Sequence, residues 1–158
     1  MRQTFGEVLV ELAERDDTVF LLVGDIGYGI FDRFRARFPT RFINIGVCEQ
    51  SMIGVAAGLA LVGLKPYVYT ITPFLIERPF EQVKLDIDQQ NVNVKLVGYG
   101  DYPDQGPTHM TLNSKKLSEL FTNIASYFPK NVAEVRLALE ESYKSRKPTF
   151  ISLMKVHE

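Results

Sequence analysis

Residues 41–74 read RFINIGVCEQSMIGVAAGLALVGLKPYVYTITPF, and three elements follow from them in order. Arg41 to Ile45 is a short strand-like run, Glu49 to Val62 reads as a helix, and Pro66 to Ile71 returns to β-branched and aromatic residues. Strand, helix, strand at this spacing predicts parallel pairing with the helix as crossover.

The alternation continues in both directions. Upstream, Phe5, Val8, Leu9, Leu12 and Ala13 recur at helical spacing and lead into a strand from Thr18 to Val23. Downstream come a helix from Leu75 to Gln89, a strand from Val92 to Tyr99, and a short helix from Ser114 to Leu120. A strand around Phe121 to Ala125, a helix from Asn131 to Ser145 and a strand from Thr149 to Met154 complete the series. Asn131 is placed to cap its helix, with Glu134 three residues on as the capping-box acid. The expected fold is α/β, three layers of α/β/α around a mainly parallel sheet of about six strands, with residues 1–158 forming one domain.

Composition narrows the function classes. With 46% hydrophobic and 23% charged residues and a net charge of −1, the chain has ordinary globular composition, which excludes disorder as its ground state. Lys and Arg are spread along the sequence, so no nucleic-acid partner is expected. Met52 to Leu64, the most apolar run, is well short of the roughly 20 residues that cross a bilayer, and it contains three glycines; it reads as a buried helix, with no membrane partner. The amino terminus mixes charges into its apolar positions, which predicts no export signal. Cys48 is the single cysteine, so neither an intrachain disulfide nor a cysteine metal cluster can form, and the cytoplasm is the expected compartment.

In open parallel sheets, ligand-facing residues sit at the carboxyl ends of strands, which directs attention to residues 24–29, 46–50, 70–80 and 98–113. Glu49 opens the apolar helix after the second strand; it is either a carboxylate favoured by the helix dipole or a buried acid that exchanges a proton with a heterocycle. Gly54 and Gly58, one turn apart among alanines, give this helix a small-residue face for packing on its own sheet or on another subunit. Gly24 to Gly29 lacks the spacing of a dinucleotide fingerprint, and no P-loop lysine follows it; turn geometry accounts for its glycines but leaves Asp25 unexplained. Phe74 and Phe80 bracket Glu77, Arg78 and Pro79, as core residues or as a stacking wall for a flat ligand. His109 lies in the turn-rich loop Gln105 to His109, where it can contact substrate, whereas His157 is a tail residue. Two distant histidines give no basis for a zinc site, and no metal ligand is expected in the chain.

Read together, residues 41–74 with FEQVKLDI, NVNVKLVG and GPTH resemble the pyrimidine-binding domain of transketolases and deoxyxylulose-phosphate synthases, from about Thr4 to Lys155. The resemblance implies a thiamine diphosphate enzyme. At the position of Glu49 that family has a glutamate that bonds N1′ of the aminopyrimidine, and the proton shared there activates the cofactor. Phe74 is implied to stack on the pyrimidine, Phe80 to line its pocket, Asp25 to approach the cofactor and His109 to face the sugar or sugar-phosphate substrate.

Gly24-Asp25-Ile26 is not the Gly-Asp-Gly motif with which the family holds magnesium, and the family's carboxy-terminal domain is not expected in this chain. The resemblance therefore implies a separate diphosphate-binding subunit that holds Mg2+ (or Ca2+), in a two-plus-two heterotetramer. Gln105 and Asn113 stand where the family commonly has acids, which suggests a specialised sugar. Two other readings remain: a subunit of a thiamine diphosphate-dependent 2-oxo acid decarboxylase or dehydrogenase, and a non-catalytic assembly module. Retention of Glu49 with Phe74 weighs against the module, because burying a carboxylate is costly unless something uses it.

Overall fold

Strand pairing in the computed structural model, which describes residues 1–100 and 105–154, is parallel throughout one six-stranded sheet. The strands are β1 (Val19–Val23), β2 (Phe42–Asn44), β3 (Lys65–Ile71), β4 (Lys95–Tyr99), β5 (Ala125–Tyr127) and β6 (Thr149–Leu153), in the order β2-β1-β3-β4-β6-β5. The main helices are α1 (Arg2–Arg15), α2 (Asp32–Arg37), α3 (Glu49–Leu61), α4 (Thr72–Ile76), α5 (Phe80–Gln82), α6 (Ser114–Ser118) and α7 (Val132–Lys144); α5 runs on into a π-helical stretch, Val83–Gln89. His157 lies outside the described residues.

The strands are apolar on both faces because both faces are covered. Leu21, Val23, Tyr67, Tyr69 and Val97 turn toward α1, α2 and α7 and pack with Phe5, Leu9, Phe34 and Leu139. Their alternates Leu22, Val68 and Leu96 turn the other way, onto Met52, Ile53 and Ala56 of α3 and Leu75, Val83 and Ile87. The period-two alternation of the strands thus produces the three expected layers.

Several elements depart from the sequence reading, each for a local reason. The single helix expected from Leu75 to Gln89 is broken after Ile76, because Pro79 has no N–H with which to continue the helical ladder. The strand expected at Phe121 to Ala125 begins only at Ala125. Before it, the amides of Thr122, Asn123 and Ile124 donate to the carboxylate of buried Asp88, at 3.2, 2.7 and 3.2 Å, and not to a neighbouring strand. Val92 and Val94 are core residues, but ladder pairing of β4 starts at Lys95. Helix α2 had no periodic signal, since in DRFRAR only Phe34 is buried. Finally, α3 is buried on one side only: Leu61 is 64% exposed, and Gly54, Val55 and Gly58 also face outward.

Lys95 is 0% exposed, and its Nζ donates to the carbonyls of Ser145 (3.0 Å) and Lys147 (2.9 Å). Burial, with a smaller push from Lys65, brings its pKa from 10.5 down to about 7. Above that value the folded chain has released a proton that the unfolded chain keeps until 10.5, so stability rises with pH across this window. Urea unfolding at about pH 7 and about pH 9 should show the wild type gaining on Lys95→Met by roughly 1 kcal/mol per pH unit. Parallel profiles for the two proteins would show instead that Lys95 stays charged on its carbonyl partners.

Candidate active site

The carboxyl ends of β2, β3 and β4 deliver three segments to one place. After β2, the amide of Ile45 donates to the Val23 carbonyl at 3.0 Å, Gly46 turns the chain at φ +75°, and α3 begins at Glu49. Its neighbours Val47, Cys48 and Gln50 are exposed, but Glu49 is only 3% exposed. A carboxylate in the first turn is favoured by the helix dipole, and here its Oε1 also accepts from Arg78 Nη1 at 2.9 Å.

Arg78 sits in the break between α4 and α5, and its guanidinium carbon is 3.4 Å from the centroid of the Phe74 ring. That short distance puts the guanidinium on the ring face, in cation–π contact, between Phe74 and the Glu49 carboxylate. The side-chain Nε2 of Gln50 donates to the Arg78 carbonyl at 3.4 Å, a second tie between α3 and this turn. His109, in a single 3₁₀ turn (Pro107–His109), meets Phe74 edge-on with ring centroids 4.8 Å apart. The loop carrying it is clamped by Glu77, whose Oε1 accepts from the Leu112 amide at 3.0 Å.

Glu49, Phe74 and His109 are therefore brought together, with Arg78 at the centre. Asp25 belongs to an adjoining cluster. Held at φ +54°, it donates its amide to Asn44 Oδ1 (3.1 Å) and accepts from Asn44 Nδ2 (3.0 Å) and the Tyr28 hydroxyl (2.8 Å). Those bonds, from Asn44 first and then Tyr28, hold the Asp25 carboxyl below its ordinary pKa. Asn44 Oδ1 also accepts from the Gly46 amide at 3.0 Å, so this cluster braces the turn that leads to Glu49. Phe80 packs its half-buried ring on Phe121, 5.4 Å away, within the core under α3.

Three contributors escaped the sequence reading: Arg78, Asn44 and Glu77. An arginine one residue before a proline, between two phenylalanines at a strand's carboxyl end, was the available signal for the first. Arg78 also changes the meaning of Glu49's burial, since the carboxylate has a charge partner within the chain and burial alone no longer argues for chemistry. Asn113 caps α6 by accepting from the Lys116 amide at 2.9 Å, a task that asparagine and aspartate share, so the cap is kept without an acid at this position. A Cβ placed at Gly54 or Gly58 would meet nothing within 4 Å, which turns the small-residue face of α3 away from its own sheet. Among the described residues no group of three His, Cys, Asp or Glu side chains could hold a metal ion, and no helix is long and apolar enough to cross a membrane.

The sequence profile of the family described as transketolase, pyrimidine binding domain, matches residues 1–157. This chain belongs to that family. Among its relatives is the 6-deoxy-6-sulfo-D-fructose transketolase subunit SqwH of Clostridium sp. (strain MSTE9), 33% identical over 98% of this chain and 49% of the relative. Another, a subunit of the apulose-4-phosphate transketolase of Actinobacillus succinogenes, is 37% identical over 76% of this chain and 40% of the relative. A solved structure described as a split gene transketolase, inactive beta4 tetramer, superposes with a TM-score of 0.87 at 29% identity, over 99% of this chain and 52% of that one. The chain thus spans less than half the length of these two curated relatives.

In this transketolase-family chain the position of Phe74 depends on a glycine one strand away. A Cβ at Gly98 would lie 2.6 Å from Thr72 Oγ1 and 3.2 Å from its Cα, so β4 must lack a side chain there for α4 to start where it does. Gly98→Ala should therefore lower unfolding stability by roughly 1–3 kcal/mol and shift the amide resonances of residues 72–74. Wild-type stability with unmoved resonances would show that the Thr72 hydroxyl simply rotates aside.

Proposed function

We propose that this chain is the pyrimidine-binding subunit of a split, transketolase-like enzyme that transfers a two-carbon ketol unit between sugars or sugar phosphates, with Glu49 activating thiamine diphosphate. The observation that carries the reading is a buried carboxylate facing an aromatic ring across a space that takes one flat cationic group, here the Arg78 guanidinium. Family members use thiamine diphosphate, and these residues fit its aminopyrimidine: one acid for a ring nitrogen and one ring face for stacking. When bound, that cofactor supplies an electron sink for making and breaking a carbon–carbon bond beside a carbonyl.

The remaining steps belong to side chains of this chain. Glu49, only 3% exposed, holds and returns a proton at N1′ of the pyrimidine. Phe74 sets the plane of the pyrimidine, and His109, resting on Phe74, presents its imidazole to the sugar. Phe80 backs the wall from the core side, and Asp25 borders the cofactor from the end of β1. Gln105, exposed in the same loop as His109, reads the donor sugar. Similarity to subunits named for a sulfonated fructose and for apulose 4-phosphate supports a specialised sugar.

Residues 1–158 act as one domain in this assembly. Magnesium, or calcium in its place, is held with the diphosphate by a partner chain. Two copies of each chain form the enzyme, with the outward face of α3 in the contact; the open space over Gly54 and Gly58 supports close approach there. A relative described as an inactive beta4 tetramer agrees with a chain that needs a different companion for turnover. The cytoplasm is the proposed setting, in keeping with a lone exposed cysteine.

Reconstitution tests the proposal. Mixed with the diphosphate-binding chain, thiamine diphosphate and magnesium, this protein should give ketol transfer that neither chain shows alone, whereas turnover by this chain in isolation would sink the split-site reading. In the assembled enzyme Glu49→Gln should cut turnover by at least about a hundredfold with the assembly intact. A loss of less than a few-fold would assign Glu49 to structure.

A further inference from the structure

We infer that Arg78 is a built-in occupant of the pyrimidine position, one that fills the pocket in the cofactor-free chain and must swing out before the aminopyrimidine can enter. The inference rests on the thiamine diphosphate reading above and concerns what holds that site beforehand. Arg78 makes both contacts assigned to the pyrimidine: Nη1 is 2.9 Å from Glu49 Oε1, and the guanidinium carbon is 3.4 Å from the centre of the Phe74 ring. Two planar groups cannot lie on the same face of Phe74 at this distance, so occupancy of that face by one excludes the other.

The chemistry of the stand-in supports the same conclusion. A guanidinium is flat and cationic, donates N–H groups in its own plane and stacks on aromatic faces, which are the properties of a protonated aminopyrimidine edge. A lysine there could reach the carboxylate but could not lie flat on the ring. Without such an occupant, Glu49 would be a buried acid with no charge partner in the described chain, a costly arrangement while the cofactor is away.

The plug is also built to leave. Arg78 lies in the break between α4 and α5, and its side chain is 34% exposed beside a carboxylate that is 3% exposed, so the guanidinium has an open path outward. Its backbone carbonyl is held separately by the Gln50 side chain at 3.4 Å, so the guanidinium can move by side-chain rotation alone. Only the arginine side of the pair is exposed, so a ring that brings the buried carboxylate a new proton-bearing partner can displace the guanidinium without leaving that charge bare. The pocket is then competent only in the fraction of molecules with Arg78 out, and the apparent affinity for the cofactor falls by that fraction.

Calorimetric titration of thiamine diphosphate into the magnesium-loaded complex with the partner chain tests this without reference to turnover. Arg78→Met, which keeps the length of the stem but not the charge or the flat head, should bind about three- to tenfold more tightly than wild type, and Arg78→Lys should fall between. Equal or weaker binding by Arg78→Met, with wild type still binding, overturns the plug and leaves the cofactor reading standing. Binding by neither protein overturns both. In the cofactor-free chain, urea unfolding of Arg78→Met, Glu49→Gln and the double variant should show coupling, the double losing less stability than the two singles combined. Strict additivity would mean that the pair does not form, and it overturns the plug independently.

Discussion

A carboxylate sequestered at the first turn of a helix is the constraint around which this molecule is arranged. Glu49 could be sequestered cheaply only if something positive or proton-bearing stood over it, and the fold brings such a group from a separate element. The break after α4 exists because Pro79 cannot continue a helix, and that break is what aims Arg78 back across the ring of Phe74 toward α3. One imino acid and one acid thus define a slot with a charged floor and an aromatic wall. The sheet supplies the rest, since parallel strands deliver their carboxyl ends, and the loops after them, to the same edge.

Support for the slot comes from residues that never touch it. Asn44 ties Asp25 to the Gly46 turn, so the approach to α3 is fixed from the end of β1. Glu77 pins the loop that carries His109. Gly98 lets β4 pass close beneath Thr72, which sets the height at which Phe74 emerges. These braces fix the positions of the functional side chains to the rigid sheet, while Arg78, at the slot's open side, keeps freedom of motion.

Much of this was legible in the sequence. Apolar runs alternating with helical periodicity gave the layers and the parallel sheet, and the rule that ligands gather at strand ends selected the loops that bring Glu49, Phe74 and His109 together. What escaped was what depends on long-range partners. Phe121 to Ala125 has the apolar pattern of a strand, but its first amides are taken by Asp88, a contact no local pattern encodes. The helix Leu75 to Gln89 read as continuous because apolar spacing outvoted Pro79. Arg78 drew no role from the sequence, since cation–π stacking on Phe74 and pairing with Glu49, 29 positions earlier, leave no periodic trace. On α3, hydropathy predicted burial, but which side faces the sheet is decided by Met52, Ile53, Ala56 and Ala57, and the glycines fall opposite.

Asp88 has a bearing on the far edge of the sheet as well. A short border strand pairs on one side only and is prone to slide along its neighbour, and a shift of one residue would exchange its inward and outward side chains. Here the strand cannot slide, because the amide just before it is anchored to a carboxylate 36 residues upstream. The alignment of β5 with β6 is in effect measured from the π-helical stretch, so the layer that carries Arg78 also indexes the margin of the sheet.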